Sequence, residues 1–204
     1  MNLIEKDAKF LRDNLDVLFI ALNPPLQSNN NGHYFSNNGH YFSGRRSSFF
    51  KQLYLSGLIV ENIDKSIADD LIFGENKYNY KNKEFGVIDL KPLVTETNSN
   101  KVKVKKEDTE LLISRIKRYK PKNVCIIHSD VMKHFRKATG IKLIYGYNGK
   151  VLEDLDTEFY CNYFPNGNNI KTEQKVKIYV ELKNSLWCMS FISCYKSSTI
   201  YQTW

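Results

Sequence analysis

Residues 16–22, Asp-Val-Leu-Phe-Ile-Ala-Leu, constrain this chain more than any other stretch. The run is almost continuously apolar and too short for an isolated helix. A strand with water on one face alternates apolar and polar side chains, so an unbroken run predicts a strand covered on both faces. Asn23, Pro24 and Pro25 follow at once. Proline lacks the N–H that a ladder needs, so the strand must stop there. One amide side chain is thereby placed at the mouth of a sheet. An aromatic-bearing loop comes next, free to close over a flat ligand.

The rest of the chain alternates in the same way. Helical spacing is read over 4–14 (Ile4, Ala8, Leu11), 47–58 (Phe49, Phe50, Leu53, Tyr54, Leu58, with Gly57 near the stop) and 105–119 (Leu111, Leu112, Ile113, Ile116). It is also read over 129–138, capped by Ser129, and over 176–186. Further strands are predicted at 85–90, 123–128 and 158–164. Alternating strands and helices imply an α/β fold: a single-domain, three-layer αβα sandwich around a mostly parallel four-stranded sheet, spanning 1–186. Residues 187–204, rich in aromatics, Ser and Thr, form a C-terminal extension of unknown role: an added strand, a dimer contact or a frayed tail. Residues 30–36 repeat at once as 37–43, which reads as a loop extension.

In open α/β sheets, ligands collect beyond the carboxyl ends of the strands. Asn23, Asp89, His128 and Asn166 each fall at or just past such an end. The net charge of +8 over 204 residues favours a polyanionic partner, nucleic acid before membrane. No run of 18 apolar residues suggests a membrane span, and the N-terminus lacks the apolar core of a signal peptide. Four cysteines (125, 161, 188, 194) show no metal-binding spacing, and two lie in apolar runs. A reduced, cytoplasmic, metal-free protein is expected, with a monomer as the simplest assembly.

Several segments, in order, resemble the uracil-DNA glycosylase superfamily, closest to its mismatch-specific uracil- and thymine-DNA glycosylase branch. Ala21-Leu22-Asn23-Pro24-Pro25-Leu26 is similar to that branch's Gly-Ile-Asn-Pro-Gly-Leu, and Gly39-His40-Tyr41-Phe42 to its Gly-His-His-Tyr. Phe49-Phe50-Lys51 resembles its Phe-Trp-Lys helix, and Phe85 to Leu90 its next strand. Lys117 to Pro121 resembles the turn before its third strand. Phe164-Pro165-Asn166-Gly167 stands where the branch has Asn-Pro-Ser-Gly or Met-Pro-Ser-Ser. The order holds over roughly residues 14–186.

The resemblance implies a glycosylase that flips a base out of duplex DNA and hydrolyses its N-glycosidic bond, without cofactor or metal. Asn23 would orient the attacking water, since an amide holds no proton-accepting group for general-base work. Phe42 would stack on the flipped base, with Phe35 its duplicate, and Leu22 and Tyr41 would line the base pocket. His40 would touch the pocket or a phosphate. Asp89 stands where relatives carry a base-reading amide or Lys. Asn166, Gly167, Asn168 and Asn169 would probe the gap left by the base, with Ile170 where relatives carry an Arg and the DNA-binding Lys171 next to it, while Arg45 and Arg46 meet phosphates. Two departures bear on the substrate. A carboxylate at 89 accepts but does not donate when ionised, and Pro25 removes a backbone N–H. The expected substrate is uracil or a related mismatched pyrimidine. The alternatives are a bulkier modified base, as in viral DNA, and a non-catalytic DNA-binding module on the same fold.

Overall fold

The computed structural model describes residues 8–24, 41–44, 46–166 and 168–195, with the backbone alone for 188–195. The elements are β1 (Val17–Ala21), α1 (Phe49–Ser56), β2 (Phe85–Asp89), α2 (Lys106–Tyr119), β3 (Asn123–Ile126), α3 (Ser129–Thr139), β4 (Gly146–Lys150), β5 (Glu158–Cys161) and α4 (Thr172–Tyr195). They form a mixed α/β domain around one five-stranded sheet of order β2-β1-β3-β5-β4. All neighbours are parallel except β4, which runs antiparallel to β5.

The double-sided burial of β1 organises the core. Val17, Leu18, Phe19 and Ile20 have no solvent exposure. Val17, Phe19 and Ala21 point into a first cluster, together with Phe85 and Val87 of β2, Phe49, Phe50 and Leu53 of α1, and Tyr179, Leu182 and Leu186 of α4. Leu18, Ile20 and Leu22 point into a second, with Leu112 and Ile116 of α2 and Val131 and Phe135 of α3. The first cluster is largely aromatic, with Phe19 edge-on to Phe49 and Phe85 at 5.4 and 5.9 Å. Cys125 and Cys161 are buried free thiols, and burial raises both pKa values, that of Cys161 to about 12.

Asp16 fastens the amino end of the sheet. Its carboxylate accepts from the Glu84 N–H at 2.9 Å and from Lys122 Nζ at 2.8 Å, while Asn123 Nδ2 donates to the Asp16 carbonyl. Helix α1 ends as its glycine predicts: Gly57 takes φ +72° and closes the last turn.

Five expectations need correction. The sheet has five strands, not four; β4 contains Gly146 and Gly149, and its pairing with β5 makes it a strand. The described part of 4–14 forms turns rather than a helix, and Asn14 takes φ +63°. The cap of α3 is His128, not Ser129, because His128 Nδ1 accepts from the Asp130 N–H at 3.1 Å. Strand β5 ends at Cys161, short of 164, and α4 runs beyond Leu186 to Tyr195. No helix among the described residues is long and apolar enough to cross a membrane.

Gly86 tests this packing directly. A Cβ there would lie 2.4 Å from the Phe10 carbonyl oxygen and 2.6 Å from Leu15 Cδ1. Gly86→Ala is expected to destabilise the fold by about 1–3 kcal/mol, read as a lower urea midpoint at unchanged slope.

Candidate functional site at the carboxyl end of the sheet

The chain leaves β1 toward α1 on one face of the sheet and leaves β3 toward α3 on the other. Diverging connections of this kind open a crevice between adjacent strand ends. Asn23 lies two residues past β1 and His128 two past β3, so both stand at this crevice.

Asn23 is held rigidly. Its Nδ2 donates to the backbone carbonyls of Pro24 (2.8 Å), Val94 (3.1 Å) and Glu96 (2.8 Å). These bonds fix the amide plane and tie the end of β1 to the loop after β2. The Glu96 N–H returns a bond to the Pro24 carbonyl at 3.1 Å, and the Lys91 N–H one to Leu22 at 2.7 Å. Oδ1 is left with its acceptor lone pairs, and none of the described residues donates to it. Three carbonyls demand a donor, so a carboxylate at 23 would be repelled where the amide is bound.

Asp89 is the last residue of β2 and the register partner of Ala21. By the alternation of β2 it shares the face of Phe85 and Val87 and is 4% exposed. Lys91, two residues on, pairs with Asp108 of α2 at 2.8 Å. Tyr41 and Phe42 pack on the same face. Tyr41 is buried, and its N–H donates to Asp69 Oδ2 at 2.7 Å. Phe42 takes φ +56° and stacks on Phe49 with centroids 4.1 Å apart. One ring face is thus committed to the core, and the half-buried ring has only its other face for a ligand. Leu22 points the opposite way, into the second cluster.

The segment after β5 is anchored rather than free. Asn166 Oδ1 accepts from the Ser48 N–H and Oγ, both at 3.0 Å, at the start of α1. The Pro165 carbonyl accepts from Ser48 Oγ (3.0 Å), Gln52 Nε2 (3.2 Å) and Lys175 Nζ (3.0 Å). Asn168 folds back on the Phe164 carbonyl, while Asn168, Asn169 and Lys171 are exposed. Arg46 is exposed near the start of α1. Pro25, Leu26, Phe35, His40, Arg45 and Gly167 lie outside the described residues.

The structure therefore places Asn23 and Asp89 at the ends of β1 and β2, and Tyr41 and Phe42 with the first cluster on the Asp89 face of the sheet. Asn166 is tied through Ser48 to the start of α1, whose first residue, Phe49, stacks on Phe42. A recess of about 100 Å³ beside Asp89 is walled by Leu90, Lys91, Leu111, Leu112 and Arg115 but includes neither Asn23 nor Phe42. One residue of this region escaped sequence reading. Lys175, 3% exposed, pins the segment after β5. Its spacing from Tyr179, Leu182 and Leu186, four, seven and eleven residues on, was the available signal of a buried face. His128 lies edge-on to Phe164 at 5.2 Å, and burial lowers its pKa, with Asp130 opposing. Its Nδ1 accepts, so the neutral ring carries its proton on Nε2.

No family model matches the chain, and no curated protein matches it significantly.

The cap on α3 makes a pH prediction. A histidine whose folded pKa is depressed binds a proton more readily unfolded, so its contribution is intact above about pH 6.5 and declines as pH falls toward the lower folded value. His128→Asn keeps a capping acceptor and removes the titration. It is expected to flatten the fall in stability between about pH 7 and 5, followed by urea unfolding at each pH. His134, also depressed by burial and then by Lys137 and Lys133, should leave a residual slope.

Proposed function

We propose that the chain is a DNA glycosylase that removes uracil or a related mismatched pyrimidine and leaves an abasic site for base-excision repair. The reading rests on the resemblance of its ordered segments to the uracil-DNA glycosylase superfamily. One observation carries it further: Asn23, an amide locked by three carbonyls at the mouth of the sheet, with its Oδ1 still able to accept. An acceptor held in a fixed plane can accept a hydrogen bond from one O–H of a water and so aim that water's lone pair at the sugar carbon. This contribution is positional and not general-base chemistry. The face of Phe42 turned away from Phe49 would supply a plane for the flipped base. Asp89, beside Ala21, supplies an acceptor for a ring N–H or an exocyclic amine. Arg46 and Lys171 bear charge suited to phosphates. The bond that breaks joins the sugar carbon to the base, which leaves with the electron pair; the water oxygen bonds to the sugar carbon, and the proton it releases goes to solvent, from which the base anion regains one.

A second reading, a DNA-binding module without catalysis, draws support from the same amide. Three carbonyls account for Asn23 as a fastener with no chemistry at all.

Labelled duplexes holding uracil opposite G, uracil opposite A or thymine opposite G, and a uracil-bearing single strand, decide between them after alkaline cleavage of abasic sites. The glycosylase reading expects cleavage, with Asn23→Ala slower by roughly 100-fold under conditions where circular dichroism shows it folded. Salt-sensitive binding with no product from any substrate would support the module instead. Asp89→Asn is expected to raise the rate on uracil, because an amide donates as well as accepts and no longer repels a departing anion.

A further inference from the structure

The carboxyl end of the sheet carries a second aromatic group, built from residues the glycosylase reading does not use. Gly146 of β4 pairs with Cys161 of β5. Tyr145 precedes the first and Tyr163 follows the second by two residues. Their rings stack with centroids 3.8 Å apart and planes 19° from parallel. Tyr145 remains 40% exposed, so the pair presents an outer ring face backed by an inner one.

The turn that presents Tyr145 is braced. Asn148 Oδ1 accepts from the Ile144 N–H at 2.8 Å, and its Nδ2 donates to the carbonyls of Ile144 (2.8 Å) and Gly146 (3.0 Å). Gly146 takes φ +99°, a bend open to glycine and strained for other residues. Ile144 and Tyr147 are also exposed, at 58% and 50%. Large apolar side chains scattered singly over a surface need no explanation; three within four residues on a braced turn mark a binding surface.

The chemistry selects the partner. A rigid aromatic face at low conformational cost suits a flat π-system. Exposed Lys142 stands three residues before Tyr145, and the chain carries +8 overall, which suits a polyanion. Bases inside a duplex are already stacked on one another, so a ring on a protein surface can receive only an unpaired one. We propose that Tyr145, backed by Tyr163, is a stacking platform for an unpaired base of a single-stranded nucleic acid, with Lys142 meeting a neighbouring phosphate.

The test is a fluorescence anisotropy titration of the full chain with a labelled oligothymidine and with a blunt duplex lacking uracil, at one fixed salt concentration. Tyr145→Ala is expected to weaken oligothymidine binding by about 5- to 150-fold, the loss of one stacked base, and to change duplex affinity less than about twofold. Tyr145→Trp should retain binding. Lys142→Glu, which leaves the stack untouched, should weaken it and reduce its salt dependence. The proposal falls if the wild-type chain does not bind oligothymidine, if Tyr145→Ala binds as well as wild type, or if Trp loses as much as Ala. It falls equally if Tyr145→Ala instead abolishes self-association in sedimentation, which would make the patch a contact between copies. None of these outcomes depends on cleavage, so failure of the glycosylase reading is scored separately.

Discussion

Strand β1 has no face it can show to water, and the architecture follows from that need. A strand buried on both sides requires layers above and below, and its backbone groups require a strand on either hand. Here β2 and β3 flank it in parallel register. Parallel neighbours demand crossovers, and α1 and α2 lie on opposite faces because both must be covered. The two aromatic and aliphatic clusters are the two sides of one strand. The crevice at the carboxyl end is where the chain, having covered one face, goes to cover the other.

At that end polar side chains act first as fasteners. Asn23 ties β1 to the loop after β2, Asn166 ties the segment after β5 to the start of α1, and His128 caps α3. Each satisfies backbone groups that burial would otherwise leave unpaired, at a cost of about 1–3 kcal/mol each. Fastening and chemistry are compatible because they use different atoms. Asn23 is bound through its NH2, which leaves its carbonyl oxygen. His128 is bound through Nδ1, which leaves Nε2–H. Rigid placement of the remaining atom is what a catalytic or binding role requires.

Much of this was legible in the chain. The runs around Phe19, Val87, Val124 and Phe159 read as strands because β-branched and aromatic residues cluster there between turn residues. Helix α2 was legible almost to the residue from Leu112, Ile116 and the Lys-Pro stop. Strand β4 was not, because Gly-Tyr-Asn-Gly-Lys is turn chemistry, and only the edge of β5 makes it a strand. Residues 4–14 mimic a helical period, yet Phe10 and Leu11 are buried through a turn. Asn23 and Asp89 could be placed because strand ends are local. The bond from Asn166 to Ser48 spans 118 positions and leaves no local trace. The caps at His128 and Lys105 lack the usual Ser, Thr, Asp or Asn signature; at Lys105 the bond runs from its own N–H to Asp108.

The irregular register of β4 has a consequence for how molecules of this protein can meet. Between Tyr147 and Gly149 the ladder slips, Gly149 turns to φ +70°, and Asn148 directs its amide back into its own turn. A flat outer strand would offer a template onto which a second chain could zip, and sheets that end so tend to grow into ribbons. This one ends in a kinked strand that breaks the template's regular spacing. Crowding these molecules together therefore brings side chains into contact along this margin before it can bring backbones into pairing.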